Sequence, residues 1–300
     1  MSLDGKGGMS AVMRVIGAAC LWGIVGLFTR PLSAAGLSSM QITEVRCIVT
    51  SLAMLAIVLL YDRSLMRIDA RDIWMFIGTG VLSIVLFNTM YFQAIEMLSL
   101  SMAAVLLYTA PCFVMLMSLI VFHERMTSRK ILALVMSFCG CVCTAGIVGG
   151  GGDMLGIAIG LGSGFCYALY TIFGKFALAK YHPFTVTLYT FVIAGLCLAP
   201  VCGLGGIADI AMEGDNLFYM VGLGILITTI PYFLYTFGLK GMDPGKASVI
   251  AFTEPMVATV AGLVFYGESL TVLSAIGILL ILVSIILLAP APSGTSTDNS

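Results

Sequence analysis

The residue with the clearest chemical potential is Glu254, a carboxylate in an apolar segment with no charged neighbour in sequence. An ionisable side chain within a membrane is costly and normally faces a cavity or a partner. Glu254 could therefore accept a proton or hold the cationic group of a solute. The alternative is a structural role. Glu254 could be a polar residue near the external mouth of a membrane protein, or its side chain could cap a backbone group that loses its hydrogen-bond partner at Pro255.

Arg46 is the one cation inside an apolar segment of the sequence. Glu44 is two residues away and would point to another side of a helix, so it is a poor partner. If Arg46 faces the centre of the protein, it could hold a substrate carboxylate. If it lies near the outer surface, its head group could extend to the interface and serve only as an anchor.

Aromatic and polar side chains recur on the same apolar segments. Asn88 and Tyr91 are three residues apart and share a helix face, as do Tyr232 and Tyr235. Rings with a few polar groups would suit an amphipathic solute, and with a carboxylate they could hold an amine. The alternative is that Tyr and Trp form interfacial belts. The candidate binding residues are Trp22, Asn88, Tyr91, Tyr108, Tyr167, Tyr170, Tyr232, Tyr235, Phe252 and Glu254.

Pro111, Pro231 and Pro255 interrupt the fourth, eighth and ninth apolar segments. Each lacks an N–H and leaves the carbonyl one turn earlier without its donor, which predicts a kink. Such breaks in membrane helices often mark hinges or binding sites. Proline is also tolerated in membrane helices generally, so a gating role and a neutral one are both open.

Composition indicates the kind of fold that must hold these residues. Of the 300 residues, 60% are hydrophobic and only 10% charged, with a mean hydropathy of +1.10. Soluble proteins carry roughly a quarter charged residues, so the expected solvent is a lipid bilayer. The net charge of -1, with 14 Lys and Arg, excludes nucleic-acid binding. The nine cysteines lie in apolar runs, and we expect neither a disulfide framework nor a metal or cofactor.

A helix needs about 20 apolar residues to cross a bilayer. The sequence predicts ten such helices, an all-α membrane fold. Most cations fall in alternate connections, which predicts both termini in the cytoplasm and a multi-pass protein of the plasma membrane. The ten segments lie near 12–30, 40–60, 73–95, 101–122, 130–148, 154–174, 184–202, 217–239, 246–266 and 270–289.

The chain contains an internal repeat. The segment from Ser101 overlays that from Gly245 without a gap at a shift of 144 residues, and the shift pairs Pro111 with Pro255. Five helices per half is an odd number, so the second half enters the membrane inverted, as in many secondary transporters. We predict one five-helix repeat over 1–148, a Gly-rich linker at 149–153, a second repeat over 154–290 and a disordered tail at 291–300.

The same shift pairs Glu124 with Glu268, and each ends a predicted helix on opposite faces of the membrane. Thr127 and Thr271 follow three residues later and are plausible N-caps for the next helix. We therefore interpret the two glutamates as parts of turns.

Several motifs together resemble the drug/metabolite transporter superfamily, in particular its EamA-type ten-helix members. The motifs are AAVLLYTAP and ASVIAFTEP in the fourth helix of each half, the Glu that closes each helix, and TEVRCIVTSLAML with its Arg early in the second helix. The resemblance implies ten helices around a central cavity, alternating access and no nucleotide hydrolysis. Because relatives with many substrates share this arginine, it also favours a structural or gating role for Arg46.

We therefore expect a secondary transporter of small organic metabolites, with export of amino acids or related amphipathic metabolites as the first hypothesis. Uptake of a vitamin or quaternary amine is the alternative. An intramembrane enzyme such as a lipid-group transferase is more remote, because the internal loops lack clustered acids free of arginine. Coupling to protons would use Glu254, and the protein would be a monomer or homodimer.

Overall fold

The computed structural model describes residues 5–145, 153–267 and 269–288, and every regular element in them is a helix. All ten predicted segments are present, so the all-α membrane fold is confirmed. Most of the expected linker, the expected tail and Glu268 lie outside the described residues. Within these described residues, nine helices are long and apolar enough to span a membrane, and a shorter apolar helix follows. They are α1 (Gly8–Ala34), α2 (Ser39–Tyr61), α3 (Ala70–Met97), α4 (Leu100–Val121), α5 (Ser128–Ala145), α6 (Met154–Leu178), α7 (Pro183–Cys202), α8 (Asn216–Lys240), α9 (Pro244–Tyr266) and α10 (Val272–Leu288).

Successive helices cross the bundle in alternating directions, which gives it two ends. We call the end where α1 begins the near end, and it holds the connections 62–69, 122–127, 179–182 and 241–243. The opposite, far end holds the connections 35–38, 98–99 and 203–215, the last with the short helix Leu204–Ala211.

Helices α4 and α9 are each broken in the middle. Helix α4 consists of Leu100–Leu107 and Ala110–Val121, and α9 consists of Pro244–Ile250 and Thr253–Tyr266. Pro111 and Pro255 lie in the first turn of the second piece, where a missing N–H costs little. The two breaks coincide to within one residue under the shift of 144 residues, so the repeat seen in the sequence is also a repeat of backbone shape.

A second matched irregularity occurs in α3 and α8, which widen into π-helix at Gly78–Val85 and Ile225–Thr229. Carbonyls near these segments receive hydrogen bonds from side chains. Thr229 Oγ1 donates to Gly224 O at 2.8 Å, and Asn88 Nδ2 donates to Ile84 O at 2.6 Å. The interruption of the eighth segment is therefore this π-helix, while Pro231 lies just after it, in the first turn of the regular helix Ile230–Lys240.

Helices α5 and α10, the last of each half, pack directly on one another. A Cβ atom added to Gly277 would lie 2.6 Å from the carbonyl oxygen of Gly140, so the two backbones touch there. One turn away, Ser137 Oγ donates to Ser284 Oγ, which in turn donates to Ile281 O. Small residues are typical of such close crossings between membrane helices.

Candidate functional site

The site is a cavity of about 560 Å³ lined by both halves of the chain. Its walls come from α1 to α4 of the first half and from α6, α8 and α9 of the second. The rim at the far end includes Arg30, Ser39, Leu100 and Tyr266. The Arg30 guanidinium lies over the Tyr266 ring, with its carbon 3.7 Å from the ring centroid. The cavity therefore opens at the far end, and its floor lies near the middle of the bundle.

Most of the residues that the sequence singled out lie on this wall. Tyr170 and Tyr235 instead line a smaller pocket of about 30 Å³ beneath the floor. The larger cavity is lined by Trp22, Asn88, Tyr91, Tyr108, Tyr167, Tyr232, Phe252 and Glu254.

The Glu254 side chain is half-buried on the wall, in the first turn of the second piece of α9. Its position follows from the break at residues 251–252, which starts a new helix inside the bundle. The first turn of a helix presents N–H groups without intrahelical acceptors and favours negative charge. A carboxylate is thus held at the cavity by the backbone geometry of α9.

Arg46 lies on the same wall, and its Nε donates to Thr228 Oγ1 at 3.0 Å. Thr228 belongs to the π-helical segment of α8 and itself donates to Leu223 O at 2.8 Å. Within the part of the chain that the structure describes, no acid lies within 4 Å of the Arg46 guanidinium. The cavity therefore offers the carboxylate of Glu254 and two guanidinium groups, Arg46 on its wall and Arg30 at its rim. Glu254 and Arg46 form no salt bridge with each other.

Glu44 does not take part in the cavity. Its side chain is only 1% exposed and lies between α2 and α7, beside Gly195 and Cys47. Its Oε2 has no hydrogen-bond partner among the described residues. The sequence indicated correctly that Glu44 and Arg46 point to different sides of α2, but it carried no signal that Glu44 would be this deeply buried.

Packed rings and paired hydroxyls form the floor. The Trp22 ring contacts Tyr232 at 5.1 Å between centroids, and Tyr232 contacts Tyr170 at 5.1 Å. Below them, a hydrogen bond of 2.7 Å joins the hydroxyls of Thr171 and Tyr235. These contacts join α1, α6 and α8, so within the described residues they close the near side of the cavity.

The proposed gating prolines separate into two groups. Pro111 lines the cavity beside Ala110. Pro231 and Pro255 are buried and line neither pocket.

Two groups of charged side chains at the near end form ion pairs. Lys180 Nζ donates to both carboxylate oxygens of Asp72, at 2.8 and 3.0 Å, and this hydrogen bonding raises the pKa of Lys180. Glu124, interpreted from sequence as part of a turn, accepts a hydrogen bond from Lys130 Nζ at 2.6 Å. Among the residues with described positions, no group of three or more His, Cys, Asp or Glu side chains could hold a metal ion.

Comparison with known proteins agrees with this architecture. The sequence profile of the EamA-like transporter family matches twice, at residues 9–146 and 154–289. The chain belongs to the EamA-like transporter family.

Individual relatives of this chain are also transporters by name. An uncharacterized transporter of Archaeoglobus fulgidus is 27% identical over 277 residues, covering 91% of this chain and 94% of the relative. The uncharacterized inner membrane transporter YicL of Salmonella typhimurium is 25% identical over 292 residues, covering 93% of this chain and 94% of the relative. The threonine/homoserine exporter RhtA of Escherichia coli is 33% identical over 125 residues, 40% of each chain.

One solved crystal structure superposes with a TM-score of 0.75 at 20% identity, covering 93% of this chain and 96% of that chain. At this identity the similarity concerns the fold alone.

The family match, the relatives and the membrane-length helices together identify the protein as a multi-pass membrane transporter of small molecules. Its family is one of transporters rather than enzymes.

Proposed function

We propose that the protein exports amino acids or related amphipathic metabolites by alternating access between its two halves. The observation that carries this proposal is the cavity of about 560 Å³ between the halves, which holds Glu254 and Arg46 on its wall without pairing them. A solute with both an ammonium and a carboxylate group could satisfy both charges, and aromatic rings would cover its apolar part.

The two charged residues have distinct proposed roles. Glu254 binds the ammonium group of the solute or the proton that replaces it, so that solute and proton compete for one carboxylate. Arg46, held by Thr228, binds a carboxylate and disfavours purely cationic solutes. The aromatic residues Trp22, Tyr108, Tyr167 and Phe252 line the apolar part of the site. Uptake of a quaternary amine would need Glu254 and the rings but not Arg46.

The proposed orientation places the near end in the cytoplasm. The near-end connections and the helix turns beside them carry most of the basic residues, among them Arg63, Arg67, Arg125 and Lys180. Cytoplasmic loops are typically enriched in Lys and Arg. In this orientation the cavity is open to the outside, in the state that would release an exported solute.

The test is counterflow in proteoliposomes with threonine, homoserine, phenylalanine and choline as probes. Glu254→Gln should abolish the dependence of exchange on pH and lower exchange of the accepted amino acid by about tenfold or more. Glu96→Gln is the matched control, because Glu96 is exposed and lies outside the cavity. Unchanged rate, affinity and pH dependence in Glu254→Gln would reject the role of Glu254, and exchange of choline alone would favour the amine importer.

A further inference from the structure

Four residues at the near end connect the two halves of the chain, and we call this group the latch: Glu124, Lys130, Asp243 and Gly245. Lys130 Nζ lies 2.6 Å from Glu124 Oε1 and 3.0 Å from Asp243 Oδ2. The backbone N–H of Gly245 donates to Glu124 Oε2 at 3.2 Å. Glu124 and Lys130 belong to the first half and the other two to the second, so each of the last two contacts crosses between halves.

The ion pair between Glu124 and Lys130 is the buried part of the latch. The side chain of Glu124 is 4% exposed and that of Lys130 is 13% exposed, whereas that of Asp243 is 60% exposed. Removing one member of a buried ion pair leaves an uncompensated charge and is strongly destabilising. An exposed pair contributes little. The contact of Lys130 with Glu124 is therefore the strong part, and Asp243 adds a weaker link to the second half.

Glu124 also caps a helix that belongs to the other half. The first piece of α9, Pro244–Ile250, begins after Asp243, whose side chain makes no capping hydrogen bond. The Glu124 carboxylate instead accepts the free N–H of Gly245, at a helix end that favours negative charge. The start of α9 is thus fixed by a residue from the connection between α4 and α5.

The far-end positions that the repeat relates to Lys130 and Asp243 are chemically different from them. A shift of 144 residues pairs Lys130 with Ser274 and Asp243 with Ser99. Ser99 Oγ accepts from Met102 N at 3.2 Å and caps α4 from within the same half. Ser274 Oγ hydrogen-bonds Thr271 Oγ1 at 2.9 Å, again within one half. The far-end equivalents of Lys130 and Asp243 are therefore uncharged and bonded locally.

We propose that the latch holds the near end closed while the cavity is open at the far end, and that access reverses only when the latch breaks. This inference rests on the proposed alternating access. The difference between the two ends also makes the two conformations unequal in free energy. The latch favours the conformation open at the far end, and a bound solute must supply the bias that releases it.

The test measures amide hydrogen exchange by mass spectrometry on the full chain in lipid nanodiscs, without any solute. Lys130→Met should speed exchange over residues 241–247 by about fivefold or more and slow exchange over 98–104 by a similar factor, because opening one end closes the other. The matched control is Lys240→Met, which removes an exposed cation at the same end that is in no ion pair of the described residues. It should exchange like the unaltered protein.

Opposite changes in hydrogen exchange at the two ends distinguish a gate from a contact that only stabilises the near end. Faster exchange at 241–247 with no change at 98–104, or no change at either segment, would overturn the proposal. If Lys130→Met does not fold, Asp243→Asn removes only the exposed member, and it should give the same reciprocal change at smaller size. Reciprocal exchange without counterflow of any probe would leave the latch standing and reject the proposed transport.

Discussion

A Cβ atom added to Gly23 would lie 2.8 Å from the backbone carbonyl oxygen of Glu254 and 2.7 Å from Val257 Cβ. Helix α1 thus touches α9 at the turn that carries the cavity carboxylate. Such an approach is possible only without a side chain at residue 23. The position of the carboxylate therefore depends on a glycine in another helix and in the other half of the chain.

Gly23→Ala tests this dependence. The added methyl group must push α1 away from α9, and such overpacking typically costs about 1–3 kcal/mol. We expect a lower thermal unfolding temperature and a loss of counterflow of about tenfold, because displacement of a binding group by a fraction of an ångström is enough to weaken a site. Gly17→Ala is the control on the same helix, since its nearest contact would be an ordinary 3.5 Å to Leu234 Cδ1. Equal counterflow in both variants would contradict the prediction.

Thr228→Val tests how Arg46 is held. The valine removes the acceptor for Arg46 Nε and the donor to Leu223 O, each hydrogen bond with a net worth of about 1 kcal/mol. We expect weaker binding of an amino acid relative to its decarboxylated amine, measured by competition in counterflow with phenylalanine and phenethylamine. Thr228→Ser keeps the hydroxyl and should restore the preference. A preference that survives in Thr228→Val would show that Arg46 does not act on the carboxylate through this contact.

The double variant Ser99→Asp, Ser274→Lys places the charges of Asp243 and Lys130 at the repeat-related positions of the far end and leaves the latch unchanged. Aspartate is as good an N-cap as serine, so the start of α4 should be preserved. If the repeat-related positions meet when the cavity closes, the double variant should slow hydrogen exchange over residues 98–104 by about fivefold. Each single variant supplies one charge without its partner and serves as the control. Exchange equal to that of the single variants would mean that these positions do not meet.

The membrane helices and the repeat could be predicted from the sequence, because neither prediction requires knowledge of which distant residues are in contact. Hydropathy over about 20 residues identifies a membrane helix without knowledge of its neighbours. The ungapped shift that pairs Pro111 with Pro255 predicted matched interruptions, and α4 and α9 are indeed broken at matching positions. The cavity residues were accessible to inference for a similar reason, because aromatic and polar groups at mid-span are costly unless they face an interior.

Other features depend on contacts between distant parts of the chain. The π-helical segment of α8 has no proline within it, and threonine hydroxyls donate to carbonyls at its start, from Thr228 Oγ1 to Leu223 O and from Thr229 Oγ1 to Gly224 O. The partner of Glu124 in the second half is separated from it by more than a hundred residues, so no local pattern could pair them. A comparison of Asp243 with Ser99 under the shift would have shown that the two ends differ.

The contact between Gly140 and Gly277 has a consequence for the halves as separate molecules. Each half alone would expose a narrow groove of small residues on its last helix, and the surface that fills such a groove is the same helix of an inverted copy. Two unlinked halves, if produced together, should therefore reassemble through α5 and α10 without the linker, as an antiparallel pair.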